Sequence, residues 1–595
     1  MAHQPAIHRG WLRSGTAAVG AAVVSLLAST VAVSPAQSAA DVSCPEAFRV
    51  AAVTKGMPVH GLTVTSGTTP DTFDGSVLGV LNDGIAPGLD MIMVKLSGSE
   101  ITDADGEVDK GIWAGMSGSP VYTANGRLLG AVAYGLSWSP SDVAGVTPAA
   151  EMRKMLSTQS GAASLKTAAA AKNVAIPPAT ASRLVADGAL TTTEASGSFQ
   201  RLPMPFSVSG LSNKHLQMAA ERFGIQRPMV TGGSTSAAAA PTEIIPGGNL
   251  AASLSYGDIT DAGIGTATAV CGGEVLAFGH PMLWSGRSTL SMHGADAIYI
   301  QKDAVFGSFK VANPTAPVGR ISSDHLAGIH GVMNEFPQSV EVTSLVDATN
   351  GNSRHGKTVI TYKPAVPFLS AIHLLSNADR VLDKIGGGRA TVRWTFHGTR
   401  ADGSSWAFTR YDRFASGRDI SYSSIFESYS QMSQILHNRF EKVKITNVHY
   451  RATYSPVYRA LEMVKFEIKP AGRWITINRH YPVRTVRAGS DLPVRVTVLP
   501  RSGIGDPTVV RMSVRVPASS QGREGVLYVS GGGEQFRTRA SSFDELLTNL
   551  AKAPRNSEVA ANIYFDTTGA NARDSASRDV GEVVSGYKHV HLFVR

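Results

Sequence analysis

Gly111-Ile112-Trp113-Ala114-Gly115-Met116-Ser117-Gly118-Ser119-Pro120-Val121-Tyr122-Thr123 is the stretch on which the reading of this chain turns. A short apolar run enters it. Val121-Tyr122-Thr123, the turn Ala124-Asn125-Gly126 and the apolar run Leu128 to Tyr134 leave it. Strand, glycine-flanked serine, strand, Asn-Gly turn and strand predict a β-hairpin with a tight loop at its entrance. The glycines let the backbone turn sharply and approach a ligand closely. In that setting Ser117 is a candidate nucleophile. The N–H groups of Gly115 and Ser117 are candidates for an oxyanion hole, which needs two donors aimed at one point. A plain Gly/Ser-rich hairpin loop is the bland alternative.

Read with Gly56-Met57, Gly61-Leu62-Thr63-Val64, Val77-Leu78-Gly79-Val80, Gly126 to Tyr134 and Gly145-Val146-Thr147-Pro148, the serine block resembles the SpoIVB-type serine peptidases. This bacterial family is related to the sporulation stage IV B peptidase. The resemblance runs over residues 50–155 and again over 256–332, roughly a third of the chain. It implies a mainly β fold, a chymotrypsin-like double β-barrel built from two separated halves. It also implies serine endopeptidase activity without a cofactor, on a protein or peptide substrate, in a regulatory protease with few substrates.

A serine hydroxyl needs a base to take its proton. His60, in Pro58-Val59-His60-Gly61, precedes the serine in the conventional order, but nothing near it in sequence would hold an imidazole in register. His280, in Leu276-Ala277-Phe278-Gly279-His280-Pro281, is the better candidate. Its block resembles the family segment whose Gly-His pair carries the base. In SpoIVB that block precedes the serine and here it follows, so the halves read as permuted. Geometry rather than chain order defines a triad, which makes such a permutation tolerable. Asp324, in Gly319 to His325, is the first candidate for the orienting acid, and Asp103 is the alternative. A catalytically inactive peptidase-fold scaffold or a cell-envelope binding protein is the competing reading.

Composition bounds the rest. The chain has 595 residues, with a net charge of +9 that falls to +7 once Arg9 and Arg13 are set aside. That charge is spread out, with no run of three Lys or Arg. This argues against a nucleic-acid surface and permits only weak association with an anionic cell envelope. Arg9 and Arg13, the apolar run Gly15 to Val33, and Ser38-Ala39-Ala40 read as a signal peptide over 1–40. The mature chain is then expected outside the cytoplasm, secreted and without a membrane span. Cys44 and Cys271 are the only cysteines. An exported chain allows them to pair, and no spacing suggests a metal site.

Outward from the serine block, residues 41–156 read as the Ser-bearing half of a peptidase domain. Residues 157–197, rich in Ala, Ser and Thr, read as a linker or insertion. Residues 198–365 read as the His-bearing half. Residues 366–480 form a helix-plus-β module, with Phe368 to Ile385 at helical spacing and stopped by Gly386-Gly387-Gly388. In 481–595, the alternation Leu492-Val494-Val496-Val498 and Val510-Met512-Val514-Val516 predicts a sandwich-like β module.

Overall fold

The computed structural model describes residues 44–136, 140–157, 173–204, 206–223, 229–231, 240–303, 307–478, 483–532, 540–565 and 572–595. The expected signal peptide, 1–40, lies outside them. Among the described residues no helix is long and apolar enough to cross a membrane.

The chain is mainly β. Its first strands are β1 (Pro58–Thr63), β2 (Asp71–Ala86), β3 (Leu89–Ser97), β4 (Pro120–Thr123), β5 (Leu128–Leu136) and β6 (Val143–Pro148), followed by helix α1 (Ala149–Ser157). Pairing runs β1–β2–β3–β6–β5–β4 and returns from β4 to β1, which closes a six-stranded barrel. Val59, Phe73, Val94, Val121, Leu129 and Val146 are buried in its core. β5 and β6 are buried on both faces. One face fills the barrel. On the other, α1 packs Ala149, Met152 and Met155 with Leu128 and Ala131 of β5 and with Ala269 and Leu276 further along the chain.

Next come β7 (Asn173–Ala175), α2 (Pro178–Ala186), α3 (Thr192–Ala195) and β8 (Ser198–Arg201). Of the linker or insertion expected over 157–197, residues 158–172 lie outside the described residues, and the remainder is a folded insertion rather than a free linker. From 173 onward the segment folds against the barrel. β8 pairs with β5, and β7 pairs with β8. Ile176, Leu184, Leu190 and Phe199 are buried beside Leu78, Met93 and Tyr134. A low-complexity composition hides these few large apolar residues, and they suffice to pin the segment. A capping box between Thr191 and Glu194 starts α3.

The connection to the second barrel holds β9 (Phe206–Val208), α4 (Asn213–Phe223) and β10 (Met229–Thr231). The second barrel comprises β11 (Asn249–Gly257), β12 (Asp261–Cys271), β13 (Glu274–Ala277), β14 (Gly286–Gln301), β15 (Phe309–His325) and β16 (Gly328–Met333). Pairing again returns on itself, β11–β12–β13–β16–β15–β14–β11. The disulfide Cys44–Cys271 ties the segment before β1 to the end of β12.

The sheet does not stop there. β11 also pairs with β18 (Ser353–Ile360), which pairs with β17 (Val340–Ala348). Helix α5 (Val366–Leu382) packs on these two strands. The sheet then continues through β19 (Gly388–Thr399), β20 (Ser405–Ser416) and β21 (Lys444–Ser455), in the order β18-β17-β21-β19-β20. The boundary expected at 365/366 is therefore no break in the sheet. Helix α5 ends at Asp383 in the left-handed region (φ 50), three residues before the triple glycine expected to stop it. The short α6 (Ile420–Ser423) and α7 (Phe426–Leu436) complete this part.

The last module begins earlier than expected. β22 (Leu461–Ile468) belongs to it, because β22 pairs with β25 (Asp491–Pro500). Two short strands intervene, β23 (Ile475–Thr476) and β24 (Arg484–Val486). The rest is β26 (Thr508–Arg515), β27 (Glu524–Gly531), α8 (Phe543–Lys552), β28 (Glu558–Phe565), β29 (Ala572–Asp579) and β30 (Val584–Val594). The sheet order is β26-β25-β22-β30-β27-β28-β29, around a separate core that includes Phe466, Val496, Val514 and Leu592. Helix α8 leaves that core to set Phe543 edge-on against Trp406 of β20, 5.6 Å between ring centroids.

Candidate active site

The serine loop is held from both barrels. Ala114 exchanges backbone bonds with Ser308 and Lys310, each 2.8 Å, which anchors the entrance of the loop to the second barrel. Gly118 N donates to Val132 O at 2.8 Å, and Val132 N donates to Ser119 O at 3.0 Å, which anchors the exit to β5. Thr266 and Thr268, two residues apart on β12 and so on one face, donate their hydroxyls to Gly115 O (3.1 Å) and Gly118 O (2.8 Å). Thr266 N donates to Ser117 O at 2.8 Å. Gly115 and Gly118 stand at φ +98° and +99°, a conformation that only glycine adopts freely. A Cβ on Gly118 would lie 1.9 Å from Thr266 O. Both glycines are therefore dictated by the close approach of the barrels.

His280 ends the turn after β13. Phe278 (φ 69) and Gly279 (φ 66) are both left-handed, and for a phenylalanine that conformation is strained. Thr147 of β6 donates its hydroxyl to Gly279 O at 2.6 Å, pinning the turn to the first barrel. The outcome is one contact across the two barrels. His280 Nε2 lies 2.8 Å from Ser117 Oγ. His280 Nδ1 lies 2.9 Å from Pro281 O, a carbonyl that can only accept. The proton therefore sits on Nδ1, and Nε2 is left to accept from the serine hydroxyl. Burial pushes the His280 pKa down to about 3, with the Pro281 carbonyl opposing and the Arg201 charge adding to the fall. The ring is a neutral base at ordinary pH. Ser117 and His280 are each only 1% exposed.

The carboxylates do not join this pair. Asp324, buried on β15, accepts from Met282 N (2.9 Å), Leu283 N (2.6 Å) and Ser285 N (3.4 Å). It braces the turn after His280, and the partner of the ring is a backbone carbonyl. Burial raises the Asp324 pKa, while those amides pull it back. Asp103 is exposed and closes its own loop by accepting from Asp105 N (3.0 Å) and Glu107 N (2.9 Å). His60 stacks on Tyr122 across β1 and β4, with ring centroids 5.7 Å apart.

Among the described residues, neither the N–H of Gly115 nor that of Ser117 is taken by a protein acceptor. Beneath them lies Lys310, a residue that the sequence did not single out. Its Nζ donates to Asn249 Oδ1 at 2.6 Å and sits 5.1 Å from the Trp113 ring centroid. Burial lowers its pKa to about 7, against the raising effect of Asp71. The signal available in the sequence was one lysine inside an otherwise apolar and small-residue strand start. The Pro281 carbonyl and the two threonines of Thr266-Ala267-Thr268 were also missed, since backbone acceptors and buried hydroxyls leave little trace in composition. Among the described residues no group of three His, Cys, Asp or Glu is placed to hold a metal ion. Comparison with known protein families, with curated proteins and with solved structures found no match.

Proposed function

We propose that this chain is an exported, chymotrypsin-like serine endopeptidase, related to the SpoIVB-type family with its serine and histidine halves in permuted order. The observation that carries the reading is the 2.8 Å contact between Ser117 Oγ and His280 Nε2. That distance suits proton transfer from a nucleophile to its base. A surrounding hydrogen-bond pattern leaves Nε2 as the acceptor.

In the proposed reaction Ser117 Oγ attacks the scissile carbonyl carbon as its proton passes to His280 Nε2. The carbonyl oxygen becomes an oxyanion, for which the amides of Gly115 and Ser117 are free donors. The C–N bond then breaks, and His280 returns the proton to the departing amine. Water repeats the sequence on the acyl-serine, with His280 again taking a proton. The Pro281 carbonyl holds the ring in the required tautomer. It offers a dipole where a conventional triad offers a full negative charge, so it stabilises the imidazolium less.

The test is labelling by a fluorophosphonate, read by intact mass and peptide mapping. A single adduct on Ser117 that disappears in Ser117→Ala supports the peptidase. A folded protein that never labels points to the inactive scaffold instead.

A further inference from the structure

The segment from β8 to Met204 runs along the end of β5 in the first barrel and reaches the Pro281 carbonyl beside His280. β8 lies antiparallel to β5, with Phe199, Gln200 and Arg201 opposite Leu136, Gly135 and Tyr134. One residue further, Leu202 N donates to Ala133 O at 3.0 Å. Ala133 follows Val132, the residue that holds the exit of the serine loop. From the other side, a Cβ on Gly279 would come 3.0 Å from the Cβ atoms of both Ala131 and Ala133, so the turn of His280 rests on this same piece of β5. Arg201 Nη1 donates to Pro281 O at 3.2 Å, the carbonyl that orients His280. After Met204, backbone pairing resumes on the second barrel, with β9 against Asp261–Gly263 of β12. The segment therefore crosses from one barrel to the other beside the turn that carries His280.

The side chain of Leu202 is 4% exposed. Its Cδ2 would stand 3.1 Å from a Cβ on Gly135, and Ile112 stands 3.9 Å from the same point. Gly135 and Ile112, the latter on the run that leads into Ser117, thus form the walls of a small apolar pocket that Leu202 fills. Peptides often bind by adding an extended strand to a free sheet edge: main-chain bonds supply affinity and pockets for alternate side chains supply selectivity. Residues 198–202 do this to β5 from within the chain.

We propose that Ser198–Met204 is a built-in pseudo-substrate, seated where the peptide to be cut would lie, with Leu202 in the pocket for the residue whose carbonyl is attacked. This rests on the peptidase reading of Ser117 and His280. Two features make the seating unproductive. The residue after Leu202 is Pro203, whose ring replaces the N–H at the bond to be cut, fixes its φ and crowds the nitrogen whose lone pair His280 must protonate. The carbonyl of Leu202 is also not held by the amides of Gly115 and Ser117. The occupant defines the ligand class as well: an extended peptide with a leucine-sized aliphatic residue at the attacked carbonyl and a basic residue before it. Such a peptide binds once the strap has left the edge of β5.

The experiment compares the rate of Ser117 labelling by a fluorophosphonate in the full chain and in Leu202→Ser. Removing one buried leucine from the pocket is expected to raise the rate about 10- to 100-fold, the factor that corresponds to burial of that side chain. Gln200→Pro, which removes a backbone N–H of β8 at a half-buried position, is expected to raise it too, and serves if Leu202→Ser does not fold. Equal labelling rates in wild type and folded variants overturn the pseudo-substrate while leaving the peptidase reading intact. Absence of labelling in all of them overturns both. The unlatched variant, offered peptides that differ at one position, is expected to cut after leucine in preference to glycine or aspartate. The opposite preference overturns the pocket assignment.

Discussion

Asp324 braces the turn that carries His280 without being the partner of its ring: Oδ1 and Oδ2 accept from the amides of Met282 (2.9 Å) and Leu283 (2.6 Å), while His280 Nδ1 is satisfied by Pro281 O (2.9 Å). In the proposed reaction the carboxylate would act only through backbone geometry. Asp324→Asn keeps one acceptor and is expected to lower kcat/KM by no more than about tenfold, whereas neutralising the acid of a conventional triad costs about 10⁴. Asp324→Ala leaves buried amides unpaired at about 1–3 kcal/mol each and is expected to unfold at lower temperature. Peptide hydrolysis alongside thermal melts separates the two roles. A loss of about 10⁴ in Asp324→Asn with an unchanged melt would show that the bracing account is wrong.

Ser117 and His280 act as one unit in the proposed reaction, so their removal is not additive. Ser117→Ala and His280→Gln are each expected to cost roughly 10⁶ in kcat, and the double variant no more than either alone. Single-turnover kinetics on a fluorogenic peptide would check this. A double variant much slower than both singles would mean that the two groups act separately.

His215 gives the chain a stability term that weakens in alkali. Its ring bridges Asp379 (2.6 Å from Nδ1) and Asp419 (2.7 Å from Nε2), tying α4 to α5 and to the start of α6. Desolvation lowers its pKa, but the two carboxylates outweigh this and raise it to about 9. A raised folded-state pKa stabilises fully below the unfolded value of about 6.5, and the contribution disappears as pH rises through the folded value. The gap in melting temperature between wild type and His215→Gln is therefore expected to be largest near pH 6 and to shrink above pH 9. A gap independent of pH would refute the charged clamp.

The buried neutral histidines work in the opposite direction. Burial lowers His280 to about 3, and His293 and His373 to about 4. Their contribution is complete above about pH 6.5 and is lost as pH falls through the folded-state values. Denaturant titrations from pH 7 to pH 4 are expected to show stability falling with pH, with proton uptake on unfolding.

Arg410 is one of several arginines that join the last two parts of the chain, with Arg389, Arg400 and Arg413. Its guanidinium meets Asp412 (3.0 Å) and Glu427 (2.7 Å). It also donates to Ala553 O (2.7 Å) and Pro554 O (3.1 Å), just past the C-terminus of α8. Arg410→Met strands two carboxylates and those carbonyls, and is expected to cost about 3–5 kcal/mol. Chemical denaturation would read this, and a change below 1 kcal/mol would contradict it.

Much of the fold class is legible in the sequence because turn chemistry and alternation are local. Asn125-Gly126 and the Val-rich alternation of β25 and β26 need no distant partner to be read. The stretch 173–201 misleads because alanine and threonine outnumber Leu184, Leu190 and Phe199, whose partners lie about a hundred residues upstream on β2 and β3. Both module boundaries shift for a related reason. A strand belongs to the sheet it pairs with, and β22 finds β25 and β30 across a composition that gives no sign of it. At the site, Ser117 and His280 stand out through their glycines and proline. Asp324 stands out as a residue type, but its use on three amides is invisible without coordinates.

Cys44 and Cys271 lie 227 residues apart, and the whole connection between the two barrels falls inside that interval. A backbone break anywhere within it yields a two-chain molecule that still travels as one particle. Removal of the disulfide is expected to cost about 2–5 kcal/mol, yet its larger effect is topological. Trimming of the 198–204 strap by an added protease would expose the end of β5 without separating Ser117 from His280. On a gel, such a nicked form would run as one species until a reductant releases its fragments.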